Sequence, residues 1–127
     1  MTEDFAALSK VRRAQLAADW PIETPELAAR RRAGTALGVY DDTSCLWRSP
    51  KFQFLGDELI QEMFEILKLL SMANGRKPGG WSEVEWFLSP HVLLDGCPPY
   101  EVMACNPKTV LNAARVEFLE EDDAGGF

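Results

Sequence analysis

Residues 57–75 read DELIQEMFEILKLLSMANG, and this stretch decides the fold. Leu59, Ile60, Met63, Phe64, Leu67 and Leu70 recur at helical spacing, so one apolar stripe faces a core. Asp57 stands where a helix is capped, and Asn74-Gly75 supplies a stop. Working outward toward the C-terminus, Arg76 to Gly80 is a short loop rich in Gly and Pro. Ser82-Glu83-Val84-Glu85 then matches a capping box in front of Trp86, Phe87 and Leu88, so a short helix is expected there. Ser89-Pro90 repeats the signal of a cap followed by proline, which makes His91 a residue near the start of a helix that Gly96 ends. Pro98-Pro99 opens another piece, and Asn106-Pro107 opens a last helix with Val110, Leu111, Ala114 and Phe118 on one face. Glu120-Glu121-Asp122-Asp123 place negative charge where the helix dipole disfavours it, so the chain is expected to end in a flexible acidic tail closing on Gly125, Gly126 and Phe127.

Toward the N-terminus the pattern changes. Ser9 is a candidate cap for a helix reaching Trp20 and ended by Pro21, with Leu8, Leu16 and Trp20 as core contacts. Thr24-Pro25-Glu26 starts a second helix that stops at Gly34, and a short turn joins the two. Leu37, Val39 and Tyr40, then Asp41-Asp42-Thr43-Ser44, then Cys45, Leu46 and Trp47 read as a small β-hairpin. The expected fold is mainly α: a helix-turn-helix-like region with a hairpin wing over residues 1–55, a helical domain over 56–119, and the tail over 120–127.

Bulk properties bound the function. The 127 residues are 46% hydrophobic and 26% charged, with a net charge of -7, which describes a globular acidic chain. Residues 1–48 hold seven basic and seven acidic side chains, whereas residues 49–127 hold six and thirteen, so the excess acid lies in the second part. That balance disfavours wholesale, non-specific nucleic-acid binding. No run approaches the roughly 20 apolar residues of a membrane span, and a cytoplasmic location is expected.

Catalytic chemistry finds little to stand on. Cys45, Cys97 and Cys105 form no Cys-x-x-Cys pair, His91 is the one histidine, and no metal, cofactor or phosphate-loop signature is present. The cysteines are expected to be reduced, buried fillers. Glu62, Glu65, Glu83 and Glu85 read as solvated helix faces rather than a paired acid site. Two features carry more information. Arg30-Arg31-Arg32 closes the second helix, where it suits either phosphate contact in a DNA groove or simple complementarity to the helix dipole. Trp81, Trp86 and Phe87 with Leu93 and Leu94 form an aromatic and aliphatic cluster, serving as core or as a partner-facing patch.

The order Gly80-Trp81, Trp86-Phe87-Leu88-Ser89-Pro90-His91-Val92-Leu93-Leu94-Asp95-Gly96, Pro98-Pro99, Tyr100-Glu101-Val102-Met103 and Val110-Leu111 resembles the C-terminal toxin-binding domain of the Xre/MbcA/ParS antitoxins, over roughly residues 56–119. Arg32-Ala33-Gly34, Leu37-Gly38-Val39 and Trp47-Arg48-Ser49-Pro50 resemble an excisionase-like winged helix-turn-helix. The resemblance implies a non-enzymatic type II antitoxin without cofactors, dimeric in its complex, whose cognate partner is a RES-domain toxin that consumes NAD or transfers ADP-ribose. It further implies toxin contact through Trp86, Phe87, Leu93 and Leu94, with Gly125, Gly126 and Phe127 entering the toxin's active site. Operator DNA would meet Arg30, Arg31 and Arg32. The alternatives are a stand-alone transcriptional regulator and an immunity protein against a delivered toxin; a small enzyme, for which no site is found, ranks third.

Overall fold

The computed structural model describes residues 9–74 and 80–120. Helix α1 spans Lys10–Ala18, with the Ser9 hydroxyl accepting from the Arg12 N–H at 3.1 Å. Helix α2 spans Pro25–Ala33, capped by Thr24 Oγ1 on the Leu27 N–H at 3.2 Å and closed at Gly34, whose φ of 84° only glycine adopts without cost. These local signals act as the sequence predicts. The connection between the helices does not: it is extended rather than a tight turn. Glu23 N–H donates to the Trp47 carbonyl and Ser49 N–H to the Pro21 carbonyl, each at 2.9 Å, so Pro21 to Glu23 lies along the following hairpin. None of the α2 residues is buried, and Arg31 anchors the helix instead.

Strands β1 (Val39–Asp41) and β2 (Leu46–Arg48) pair antiparallel with Tyr40 opposite Trp47. Asp41 organises the turn between them: it accepts from Thr43 N–H at 3.1 Å, Ser44 Oγ at 2.7 Å and Arg48 Nε at 3.2 Å. The Ser44 hydroxyl, then the Thr43 N–H and the Arg48 guanidinium, hold the Asp41 carboxyl below its ordinary range against the opposing effect of burial. A carboxylate depressed in the folded state contributes stability that is complete above its unfolded pKa of about 3.9 and is lost as pH falls through the lower folded value. An acid titration of stability is therefore expected to show a component below about pH 4 that Asp41→Asn removes. An unchanged acid limb in that variant would count against this role.

A 3-10 turn over Lys51–Gln53 leads into a second hairpin, β3 (Phe54–Leu55) with β4 (Glu58–Leu59). Here the sequence reading is corrected. Helix α3 spans Met63–Asn74, not a span opening after Asp57. Gly56, at φ 65°, and Asp57 form a two-residue hairpin loop, which places Leu59 in a strand. With the helix starting at Met63, its inward face is Met63, Ile66, Leu67 and Leu70, and Phe64 is left 53% exposed.

Helix α4 (Trp81–Leu88) buries Trp81, Val84 and Phe87, and its cap is Gly80 in the left-handed region. Ser82 is already inside the helix, so the predicted capping box does not form. After α4 comes a single 3-10 turn, Val92–Leu94, in place of a helix from Pro90. Helices α5 (Pro99–Met103) and α6 (Pro107–Arg115) begin at the predicted prolines, and α6 runs on into a π turn over Val116–Glu120. The described chain is thus mainly helical, with two small antiparallel hairpins.

One hydrophobic core joins both regions: Ala17, Trp20, Leu37 and Val39 pack with Met63, Ile66, Trp81, Phe87, Met103 and Val110. Trp81 makes the link, stacking on Trp20 at 6.0 Å and donating its Nε1–H to the Tyr40 carbonyl at 2.9 Å. The boundary expected near residue 55 falls within the second hairpin. Gln53 is fully buried among these apolar groups, yet its amide is satisfied, accepting from Leu37 N–H at 2.8 Å and donating to Leu37 C=O at 2.7 Å. It pairs with Leu37 as a neighbouring strand would. The cysteines depart from expectation, since Cys45, Cys97 and Cys105 are all exposed. Each stands in a connection between elements, where no apolar neighbours close over it.

Candidate functional site

Where α4 ends, the chain builds a rigid loop. Ser89 Oγ donates to the Glu85 carbonyl at 2.7 Å, and Pro90 forbids continuation of the helix. His91 then caps the 3-10 turn, its Nδ1 accepting from Leu93 N–H at 3.2 Å. Asp95 and Gly96, at φ 58° and 82°, turn the chain back, and Gly96 N–H donates to the His91 carbonyl at 2.9 Å while His91 N–H donates to that of Cys97 at 3.2 Å. The three residues of the turn point in three directions. Leu94 enters the core, Leu93 is 48% exposed and Val92 is 86% exposed.

A polar cluster locks this loop to the π turn that follows α6. Glu117 Oε1 accepts from Trp86 Nε1 at 3.0 Å and lies 2.8 Å from His91 Nε2. Because the Leu93 amide requires Nδ1 as an acceptor, the ring proton sits on Nε2 and is directed at Glu117. Trp86 is also edge-on to His91 at 5.7 Å. Between loop and π turn runs an open groove of about 790 Å³, lined by Trp86, Pro90, His91, Val92, Leu93 and Val116 among others. Burying a Val or Leu side chain is worth about 1.5–3 kcal/mol, and here two aliphatic side chains are held out in water on a braced turn. Neither side chain contributes much to the core.

The residues predicted for toxin contact therefore separate. Trp86 and Leu93 line the groove; Phe87 and Leu94 lie beneath it in the core, which removes them from the accessible surface. Val92, the most exposed of the apolar residues here, belongs to the groove and was not singled out by the sequence. The cap-and-proline pattern at Ser89-Pro90 reads as a helix over this residue, so the sequence carried no signal for its exposure. Gly125, Gly126 and Phe127 lie outside the described residues.

The arginine run is also divided. Arg30 faces Glu26 at 3.5 Å; Arg31 makes a two-pronged pair with Glu23, 2.7 and 3.1 Å, and lays its guanidinium over the Trp47 ring at 3.6 Å. Arg32 is exposed. Beside it opens a second cleft, about 520 Å³, lined by α2 and α3 and including Arg32, Trp47, Phe64, Leu67, Lys68 and Met72. Among the described residues no cluster of His, Cys, Asp and Glu is placed to hold a metal ion, and no helix is long and apolar enough to cross a membrane. The carboxylates considered at the outset are dispersed: Glu65 pairs with Arg115 at 3.0 Å and Glu85 lies 3.9 Å from Arg13.

Compared with models of protein families, with curated proteins and with solved structures, the chain matches none.

Proposed function

We propose that the protein is a non-catalytic antitoxin that neutralises a RES-type toxin by occupying it, with the groove between α4, the Val92–Leu94 turn and the π turn as its docking surface. The observation that carries this reading is the pair Val92 and Leu93, exposed on a turn braced by His91 and Glu117. The toxin class comes from the resemblance of residues 56–119, and so does the role of Gly125, Gly126 and Phe127 as the segment that enters the toxin's pocket. Inhibition in this reading is steric. The operator-binding alternative is supported less, because Arg31 is committed to Glu23 and Trp47 and is not available to a phosphate without breaking both contacts.

The test is recovery of the tagged protein from its native host, with bound partners assayed for NAD consumption before and after this protein is removed. A stable partner whose activity is released on removal supports the reading. Recovery of promoter DNA alone, or of nothing, overturns it. Val92→Asp with Leu93→Asp is expected to weaken that complex by at least about 30-fold, equivalent to a hot-spot loss of about 2 kcal/mol, while the thermal transition stays within a few degrees of the parent. Undiminished partner binding in the double variant would place the docking surface elsewhere.

A further inference from the structure

The turn that carries Val92 and Leu93 is capped by a group whose power to accept a hydrogen bond depends on its protonation. His91 is the one histidine in the chain; its side chain is 12% exposed and lines the open groove, so water reaches it. The ring is engaged at both nitrogens: Nδ1 accepts from the Leu93 N–H at 3.2 Å, and Nε2–H is directed at Glu117 Oε1, 2.8 Å away. A second proton therefore has one place to go, which is Nδ1. Imidazolium donates at both nitrogens, so the added proton faces the Leu93 donor and the cap is lost. Glu117 decides what gives way, because its carboxylate holds a charged ring more strongly than a neutral one and keeps it in place. The other charged groups on the neighbouring elements are engaged elsewhere or turned to solvent. Glu83 lines the α2–α3 cleft, Glu85 lies toward Arg13, Arg115 pairs with Glu65, and Lys108 is roughly 13 Å from Glu117 along α6. Asp95 and Cys97, in the same loop as His91, are exposed.

We propose that His91 is a proton-operated switch on this groove: a proton at Nδ1 frees the Leu93 amide and alters how Val92 and Leu93 are presented, while the rest of the loop stays closed. The confinement follows from the backbone. Leu94 and Gly96 N–H both donate to the His91 carbonyl, at 3.0 and 2.9 Å, and His91 N–H donates to the Cys97 carbonyl at 3.2 Å, all without using the ring. Leu94 also stays anchored in the core. The residues left to respond are the two exposed ones. What the switch does to a partner rests on the docking reading above, under which binding is weaker in acid. The switch itself does not rest on it, and its test uses this chain alone, so the two fail separately.

The experiment is an NMR titration of the full-length, nitrogen-labelled protein from about pH 8 to about pH 5, the span over which histidine ordinarily changes charge. With one histidine in the chain, its ring signals are unambiguous. At the upper end the ring is expected as the Nε2–H tautomer, and on acidification Nδ1 gains its proton. The Leu93 amide is expected to respond with the same midpoint and to lose about fivefold in exchange protection, the weight of one ordinary hydrogen bond, whereas the Gly96 amide keeps its own. His91→Asn separates the chemistry from the fold. The Asn Oδ1 sits on Cγ as Nδ1 does, accepts from the amide two residues on and takes up no proton, so that variant is expected to keep Leu93 protected throughout. A ring protonated on Nδ1 alone at pH 8, or one that titrates while the Leu93 amide is unmoved, overturns the proposal. So does a ring whose charge is constant across the range, a joint loss of protection at Leu93 and Gly96, or the same pH response at Leu93 in His91→Asn.

Discussion

Gly80→Ala is expected to cost more than about 3 kcal/mol, a large fraction of the roughly 5–15 kcal/mol by which a small domain is stable. Two costs combine. Gly80 caps α4 at φ 74°, where any Cβ adds about 1–2 kcal/mol. A Cβ built there would also lie 1.9 Å from the Gly38 carbonyl oxygen and 3.1 Å from its carbon, so relief requires moving backbone against backbone. Gly96 is the internal control, since it has φ 82° but nothing within 4 Å of its would-be Cβ. Gly96→Ala is expected to lose only the conformational part, about 1 kcal/mol. Denaturant unfolding of the two variants side by side makes the comparison; equal losses would show that the close approach of Gly80 to Gly38 relaxes without cost.

Phe87→Ala is the second large effect, expected at about 3–5 kcal/mol. Phe87 is fully buried, packed against Phe52 at 4.8 Å and edge-on to Trp86 at 5.1 Å, and its removal leaves a cavity that helices from both halves of the chain must collapse into. Leu93→Ala, a neighbour in sequence, is expected to change stability by less than about 0.5 kcal/mol, because its side chain gains little from the fold. Under the proposed function the pair separates folding from recognition: Phe87→Ala is expected to lose partner binding only as far as it unfolds, and Leu93→Ala to lose it while folded. A small stability loss in Phe87→Ala would contradict its placement in the core.

What the sequence disclosed followed the range of the interaction involved. Ser9, Thr24-Pro25, Gly34, Pro99 and Pro107 act within one helical turn of themselves, and their elements start or stop as read. Asp57 was misleading for a physical reason: an acidic residue before an apolar run reads equally as a helix cap and as the second loop residue of a hairpin. Only the pairing of Phe54 with Leu59 decides between them. Trp86, Phe87, Leu93 and Leu94 were legible as a cluster, but their division into surface and core was not. Neighbouring residues diverge by about 100–120° in either kind of helix, so which of Leu93 and Leu94 turns inward depends on where the Val92–Leu94 turn begins. The roles of His91 and Gln53 were invisible because their partners, Glu117 and the Leu37 backbone, lie 26 and 16 residues away.

The stacking of Trp20 on Trp81, with the Trp81 indole tied to Tyr40, carries a consequence for how the protein is made. Synthesis delivers the chain from its N-terminus at about 5–20 residues per second, so Trp20, Leu37 and Val39 leave the ribosome several seconds before the residues that cover them. During that interval the nascent chain presents bare aromatic and β-strand surface, and its first hairpin has no lid. A pause in translation before α4 is expected to prolong that exposure and to lower the yield of folded protein without altering a single side chain.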